Sequence, residues 1–296
     1  MQQRDFKERL SENAEKVNNV LRGILADRNL IGGELGEVFK YVLEAEGKRI
    51  RGALVLWGCE VVSGQVNRNA EIAAAAIEMV HTYSLIHDDL PAMDDDEIRR
   101  GKPACHIAFD EATAILAGDG LLTLAFEILS KEIDDAGVAI KLVGQLAGSA
   151  GPAGMVAGQL ADLQSEKTKG SEEQLEYIHT NKTAKMFQCS VAMGAIAGGA
   201  KRGEYESLCE YGLKIGLGFQ VADDILDVSG SSKQLGKTAG KDEKAGKITY
   251  PSLLGIEGSK ERAVKLAEEA VEALGSFGEK AEVLRQLAKA LLERTR

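Results

Sequence analysis

The chain has 296 residues, with 36 Lys and Arg against 46 Asp and Glu, a net charge of −10. That balance argues against non-specific nucleic-acid binding, which draws on a basic surface, and the length suits one large domain or two small ones. The cysteines, Cys59, Cys105, Cys189 and Cys209, include no C-x-x-C pair, which argues against a zinc site or a disulfide framework and fits a reducing, cytoplasmic setting.

The opening stretch, MQQRDFKERLSENAEKV, is too charged for a signal peptide. Helices are expected over 5–22, 71–89, 112–134, 174–197 and 204–228, because proline is confined to Pro91, Pro103, Pro152 and Pro251 and Ala and Leu are abundant. At the C-terminal end Val283, Leu284, Leu287, Leu291 and Leu292 fall on one stripe at helical spacing. No strand–turn–strand signal or βαβ rhythm is evident, so the predicted class is all-α, a single domain over 1–296. No run approaches about 18 consecutive apolar residues, so no membrane-spanning helix is expected. Glycines inside helical stretches, as in GQLAGSAGPAGMVAG (144–158) and GAIAGGA (194–200), imply either close helix–helix approach or a cavity wall. The segment 229–251 is not helical in pattern and carries Lys233, Lys237, Lys241, Lys244 and Lys247, as a solvated loop or a binding lid would. Its GKT is no P-loop, since Ser231 stands where that motif needs its first glycine.

Two acidic clusters carry the chemistry. In HDDLPAMDDDEIRRG (87–101) an unbroken helix would put Asp88 and Asp94 about 120° apart. Pro91 should break the helix and let Asp94 fold back beside Asp88. In FQVADDILDV (219–228) Gln220, Asp223, Asp224 and Asp227 are spaced i, i+3, i+4 and i+7, which gathers them toward one helix face. Carboxylates crowded on a half-apolar helix repel, and a cation relieves them; magnesium is held this way, by one or two carboxylates completed by substrate phosphates and water.

His81, Ser84 and Asp88 share a face leading to the first cluster, at i, i+3 and i+7. Lys48, Arg49 and Arg51 in GKRIRG, Arg99 and Arg100 in RRG and Lys182 in NKT supply cations suited to diphosphate oxygens. A metal phosphohydrolase built on His87-Asp88 would need more histidine ligands than His106 and His179 offer. The acidic run also lacks the EF-hand pattern.

Together GKRIRG (47–52), MVHTYSLIHDDLPAMDDDEIRRGKPACH (79–106), GQLADL (158–163), NKTAKMF (181–187), FQVADDILDV (219–228) and LGKTAGKDEKAGKITYP (235–251) resemble the trans-prenyl diphosphate synthases, most closely the bacterial farnesyl diphosphate synthase type. The resemblance runs from about Glu37 to the C-terminus. It departs at Glu46 and Gly52, where Gly and Pro are usual, and at Ala184, where a glycine often follows Lys-Thr.

The resemblance implies a helical isoprenoid synthase bundle with a large central cavity, working as a homodimer. It implies three magnesium ions per site held by Asp88, Asp94 and Asp223, with Asp89, Asp224 and Asp227 in support. Arg99, Lys182, Lys237 and Lys247 should bind an allylic diphosphate, and Gly47, Lys48, Arg51, His81 and Arg100 isopentenyl diphosphate. Lys182, Thr183 and Gln220 should serve the reaction centre, where the allylic cation is attacked by the double bond of isopentenyl diphosphate. Tyr83 and Ser84 are the expected chain-length positions, and with the four-residue LPAM spacer they point to a fifteen-carbon farnesyl product. Geranylgeranyl or geranyl diphosphate synthesis is the alternative. Terpene cyclases usually vary the second motif, and non-catalytic subunits of heteromeric synthases tend to lose one; this chain keeps both.

Overall fold

A computed structural model describes residues 3–27, 32–165, 170–229 and 247–293. In chain order the helices are α1 (Gln3–Asp27), α2 (Gly33–Leu43), α3 (Ile50–Ser63), α4 (Arg68–Asp88), α5 (Cys105–Ala108), α6 (Glu111–Lys131), α7 (Ala136–Ala150), α8 (Met155–Ser165), α9 (Glu172–His179), α10 (Lys185–Gly198), α11 (Arg202–Ser229), α12 (Tyr250–Ala273) and α13 (Glu282–Glu293). A π-helical turn, Thr180–Ala184, joins α9 to α10. The all-α class holds, with one addition the sequence did not signal: a two-residue hairpin, β1 (Ile98–Arg99) paired antiparallel with β2 (Lys102–Pro103).

Local chemistry sets where the long helices begin. Asn67 caps α4 by accepting the Ala70 N–H at 2.9 Å, and Asp110 caps α6 through the Thr113 N–H at 2.8 Å. Thr249 and Ser252 form a reciprocal capping box at the start of α12. From there α4 runs through the centre of the molecule with Ala73, Ala74, Ala75, Ala76 and Ile77 all buried. A helix apolar on every side is stable only when neighbours surround it, and α1, α3, α6 and α10 do so. A second core gathers Trp57, Tyr211 and Phe187 against the C-terminal helices, where Val283, Leu284, Leu287 and Leu291 are buried as their stripe predicts.

The helical glycines resolve toward close approach where α3 crosses α10. A Cβ on Gly194 would overlap the Val55 carbonyl, and one on Gly58 would come within 2.9 Å of the Val191 carbonyl. Helix α6 is long and apolar enough to cross a membrane by length and composition, which counting consecutive apolar residues did not reveal. Much of that character serves the core, because α6 packs along α4. Its other side leaves Ile115 and Leu116 exposed.

Candidate active site

The first acidic motif forms as its proline dictates. Helix α4 ends at Asp88, and a turn across Leu90–Pro91–Ala92–Met93 closes through the Met93 N–H on the Leu90 carbonyl at 2.9 Å. The reversed chain brings the Asp94 N–H to the Asp88 carbonyl at 2.8 Å. Burial pushes the Asp88 carboxyl up to about 6; Asp94 and Asp89 add to the shift, while Lys182 and Arg99 oppose it. Asp89 is buried and faces Arg99, whose Nε lies 3.0 and 3.1 Å from the two carboxylate oxygens and whose Nη2 also donates to Oδ1.

The hairpin that carries Arg99 reverses at Arg100 and Gly101, both at positive φ (53° and 76°), the geometry of a type I′ turn. Burial, with Arg49 adding, lowers the Arg100 guanidinium to about 10. Gly47 lets it approach: a Cβ there would sit 3.2 Å from the Arg100 Cζ. Across the same pocket Arg51 Nη1 lies 3.2 Å from His81 Nε2 and its guanidinium stacks 4.9 Å from the Phe187 ring centroid. Burial and then Arg51, Arg100, Arg49 and Arg99 hold the His81 imidazole far below its ordinary value. Lys48 is exposed beside this pocket. So many cations around one neutral histidine form a pocket built for a polyanion.

Arg49 is the exception among the expected cations. It is buried in the left-handed conformation, with Nη1 3.6 Å from the Glu78 carboxylate, Nε on Asn18 Oδ1 at 2.8 Å and Nη2 on the Leu43 and Ala45 carbonyls. Glu78 also accepts the Gly52 N–H at 2.9 Å. This pair braces the GKRIRG turn and does not face substrate space.

The second motif fans out instead of stacking on one face. Positions i+3 and i+4 lie about 100° apart on a helix, so Asp223 and Asp224 part company. Asp223 is half-buried and its charge acts on Arg51 across the cleft. Asp224 is 3% exposed, accepts the Tyr250 N–H at 3.0 Å and lies 3.8 Å from His179 Nε2. Asp227 is likewise buried. Gln220 bridges outward: its Oε1 accepts the Thr183 hydroxyl at 2.8 Å and its Nε2 reaches Asp224 at 3.4 Å.

Lys182 and Thr183 sit in the π-helical turn, an irregularity that recurs at functional sites. Gly158 of GQLADL makes room for it, since any Cβ there would overlap the Lys182 backbone nitrogen. Lys182 Nζ donates to Asp162 Oδ2 at 2.6 Å, and Lys247 Nζ lies 3.2 Å from Asp94 and 3.6 Å from the same Asp162 oxygen. Lys237 lies outside the described residues. Sequence reasoning does not find Asp162 or Glu78. The signals that could have found them are a lone carboxylate in the apolar run IAAAAIEMV (72–80) and an aspartate one turn after Gly158.

On the chain-length face, Tyr83 is buried and edge-on to His87, ring centroids 5.7 Å apart; burial and the Asp88 charge push its hydroxyl to about 12. The Ser84 hydroxyl donates back to the His81 carbonyl at 3.0 Å. His87 is spent on the Ile115 carbonyl at 3.1 Å, which removes the ligand that a phosphohydrolase reading would need.

Hard carboxylate oxygens at Asp88, Asp94 and Asp223 suit magnesium. Among the described residues no three His, Cys, Asp or Glu side chains close into a metal cage; magnesium usually completes its shell with substrate phosphates and water.

Two acidic clusters facing a basic pocket inside a helical bundle define a prenyltransferase. The chain belongs to the polyprenyl synthetase family, whose model matches residues 33–290. It is 46% identical over 280 residues to the heterodimeric geranylgeranyl pyrophosphate synthase large subunit 1 of Arabidopsis thaliana, covering 92% of this chain and 75% of that protein. Geranylgeranyl pyrophosphate synthase 9 of the same plant is 47% identical, covering 92% and 77%. Among solved structures, an FPP/GFPP synthase from Zymomonas mobilis superposes with a TM-score of 0.86 at 35% identity, covering 98% of this chain and all of that one. A geranyltransferase from Helicobacter pylori, complexed with magnesium and isoprenyl diphosphate, gives 0.81 at 34% identity, covering 96% of each.

Proposed function

We propose that this chain is a magnesium-dependent short-chain trans-prenyltransferase that condenses isopentenyl diphosphate with dimethylallyl and geranyl diphosphate to make farnesyl diphosphate. The observation that carries the reading is the opposition of Asp88, Asp94 and Asp223 to the pocket of Arg51, His81, Arg99 and Arg100. One side can hold an allylic diphosphate through metal, the other a second diphosphate through Arg, Lys and His. The H. pylori relative's magnesium and isoprenyl diphosphate support the same pairing.

Asp88, Asp94 and Asp223 would hold magnesium, three ions per site by family resemblance, and the bound metal would supply the charge that lets the allylic diphosphate leave. Arg99, Lys182 and Lys247 bind that diphosphate, with Lys237 assigned by resemblance. Gly47, Lys48, Arg51, His81 and Arg100 hold isopentenyl diphosphate so that its double bond faces the allylic carbon. The linked oxygens of Thr183 and Gln220 face the developing positive charge. As the allylic carbon–oxygen bond breaks, the double bond of isopentenyl diphosphate forms the new carbon–carbon bond. The departing diphosphate takes the proton then lost, so neither a protein nucleophile nor a protein base is needed.

Tyr83 favours the fifteen-carbon product. Five residues before Asp88 it lies about 7.5 Å down the helix axis, its ring buried in the core. The Arabidopsis relatives favour the twenty-carbon alternative by name. The exposed apolar face of α6, at Ile115 and Leu116, supports a homodimer, and the cysteine pattern makes the cytoplasm its proposed setting.

The test is product analysis by gas chromatography after dephosphorylation, with isopentenyl diphosphate and each allylic primer, with magnesium or a chelator. Magnesium-dependent farnesol is expected, and Tyr83→Ala should lengthen the product. Geranylgeraniol from the unaltered chain would discard the farnesyl assignment and keep the class. A cyclic hydrocarbon from a single substrate would replace the proposed activity with cyclisation.

A further inference from the structure

One oxygen of Asp162 serves two cations. Its Oδ2 accepts from Lys182 Nζ at 2.6 Å and lies 3.6 Å from Lys247 Nζ. The Asp162 side chain is 12% exposed, yet its acidity stays on the charged side of the ordinary value: burial raises it, and Lys182, Lys247 and His179 overcome that. Lys182 comes from the π-helical turn and Lys247 from the lead-in to α12, so Asp162 on α8 ties together two segments more than sixty residues apart in sequence.

We propose that Asp162 is a positioning residue that gathers Lys182 and Lys247 into one cradle for the allylic diphosphate and limits the hold of Lys247 on Asp94. The proposal rests on the assignment of those lysines to that diphosphate. Two ammonium groups drawn toward one point repel each other, and without a shared counter-ion they separate. Lys247 then turns to Asp94, whose carboxylate is already 3.2 Å away. Each Lys247–Asp94 pair that forms removes a metal ligand from use. Asp162 thereby serves both needs: it holds the lysines where a diphosphate can take them over, and it weakens the competition of Lys247 for Asp94. The placement is built in by Gly158 one turn earlier on α8, whose missing Cβ lets that helix touch the Lys182 backbone.

The experiment is steady-state kinetics on the full chain with Asp162→Asn and Asp162→Glu, varying geranyl diphosphate, isopentenyl diphosphate and magnesium separately. Lys182→Gln and Lys247→Gln are run alongside. Asp162→Asn should raise the KM for geranyl diphosphate roughly tenfold, the loss of a charge-assisted contact. It should also raise the magnesium concentration for half-activity and leave the isopentenyl diphosphate KM within about twofold. Asp162→Glu, which keeps the charge, should recover most of the loss. An unchanged or lowered geranyl diphosphate KM in Asp162→Asn, with both lysine variants impaired, overturns the proposal. So does an equal rise for both substrates, the mark of general structural damage. If Asp162→Asn does not fold, Asp162→Ser, which also removes the charge, is read by the same split between substrates. Lysine variants with a normal geranyl diphosphate KM would remove the underlying assignment itself, and the proposal with it.

Discussion

Asp88 ends α4 and Asp223 lies on α11, and in the proposed reaction both are metal ligands. Asp88→Ala and Asp223→Ala should each lower turnover at least about 100-fold, equivalent to ~2.7 kcal/mol of transition-state stabilisation; near-normal rates would remove that residue from the metal assignment. Glu78 makes a different demand. Its side chain and that of Arg49 are each 1% exposed, and removing one member of a buried pair costs about 3–5 kcal/mol because the other charge is stranded. Glu78→Ala should therefore lower the urea midpoint markedly, and an unchanged midpoint would mean that Arg49 finds water or another partner. His81 gives a pH dependence. Arg51, Arg100, Arg49 and Arg99 surround it, and its folded-state value lies below the ordinary 6.5, so the unfolded chain binds the proton more readily. Its contribution to stability is full above about 6.5 and is lost as the pH falls below that. Thermal melts of His81→Gln should show a shallower acid decline than the parent, and parallel declines would count against a neutral buried imidazole. The aspartates, Arg51 and Lys182 are legible in the sequence because charges at helical spacing beside Pro or Gly are costly unless a ligand offsets them. Arg49 is not, because sequence gives a cation's place and not its burial. Asp162 is hidden because its two partners come from distant segments.

Among the elements, the helices are the most legible part, since few prolines and long apolar stripes leave little choice. The predicted 204–228 became Arg202–Ser229, and 71–89 became Arg68–Asp88. The expected 174–197 helix instead carries the π-helical turn, because an inserted residue leaves hydropathy periodicity almost untouched. The Ile98–Pro103 hairpin is hard to foresee because its turn is Arg-Gly, with Arg100 at positive φ where Asn or Asp is usual. The π-helical turn can be tested through its neighbour. Gly158→Ala puts a methyl group into the Lys182 backbone, so the turn must shift; kcat should fall at least about tenfold, in keeping with the cost of small misplacements in an active site. Unimpaired turnover would show that the turn tolerates displacement.

For the whole molecule, α6 offers the clearest experiment. Leu116 is 63% exposed and Ile115 44% on a helix whose opposite side packs on α4. If a second copy covers them, Leu116→Asp should halve the mass measured by light scattering at micromolar concentration. A mass unaffected by the substitution would move the subunit contact elsewhere. Family and class are readable because six motifs lie in fixed order between residues 47 and 251. Product length is not, because it depends on the depth of a cavity whose floor is set by packing; a helical wheel places Tyr83 about 140° from Asp88 and leaves its role open.

The Arg100–Gly101 turn has one more consequence. Arg99 and Arg100 are consecutive residues, one assigned to each diphosphate, on a hairpin too short to flex between them. If the hairpin shifts when Arg99 leaves Asp89 for one substrate, the backbone that presents Arg100 to the other shifts with it. Occupancy at the two subsites is then thermodynamically linked, and the linkage is reciprocal. Binding either substrate then changes the affinity for the other by the same factor, whichever arrives first.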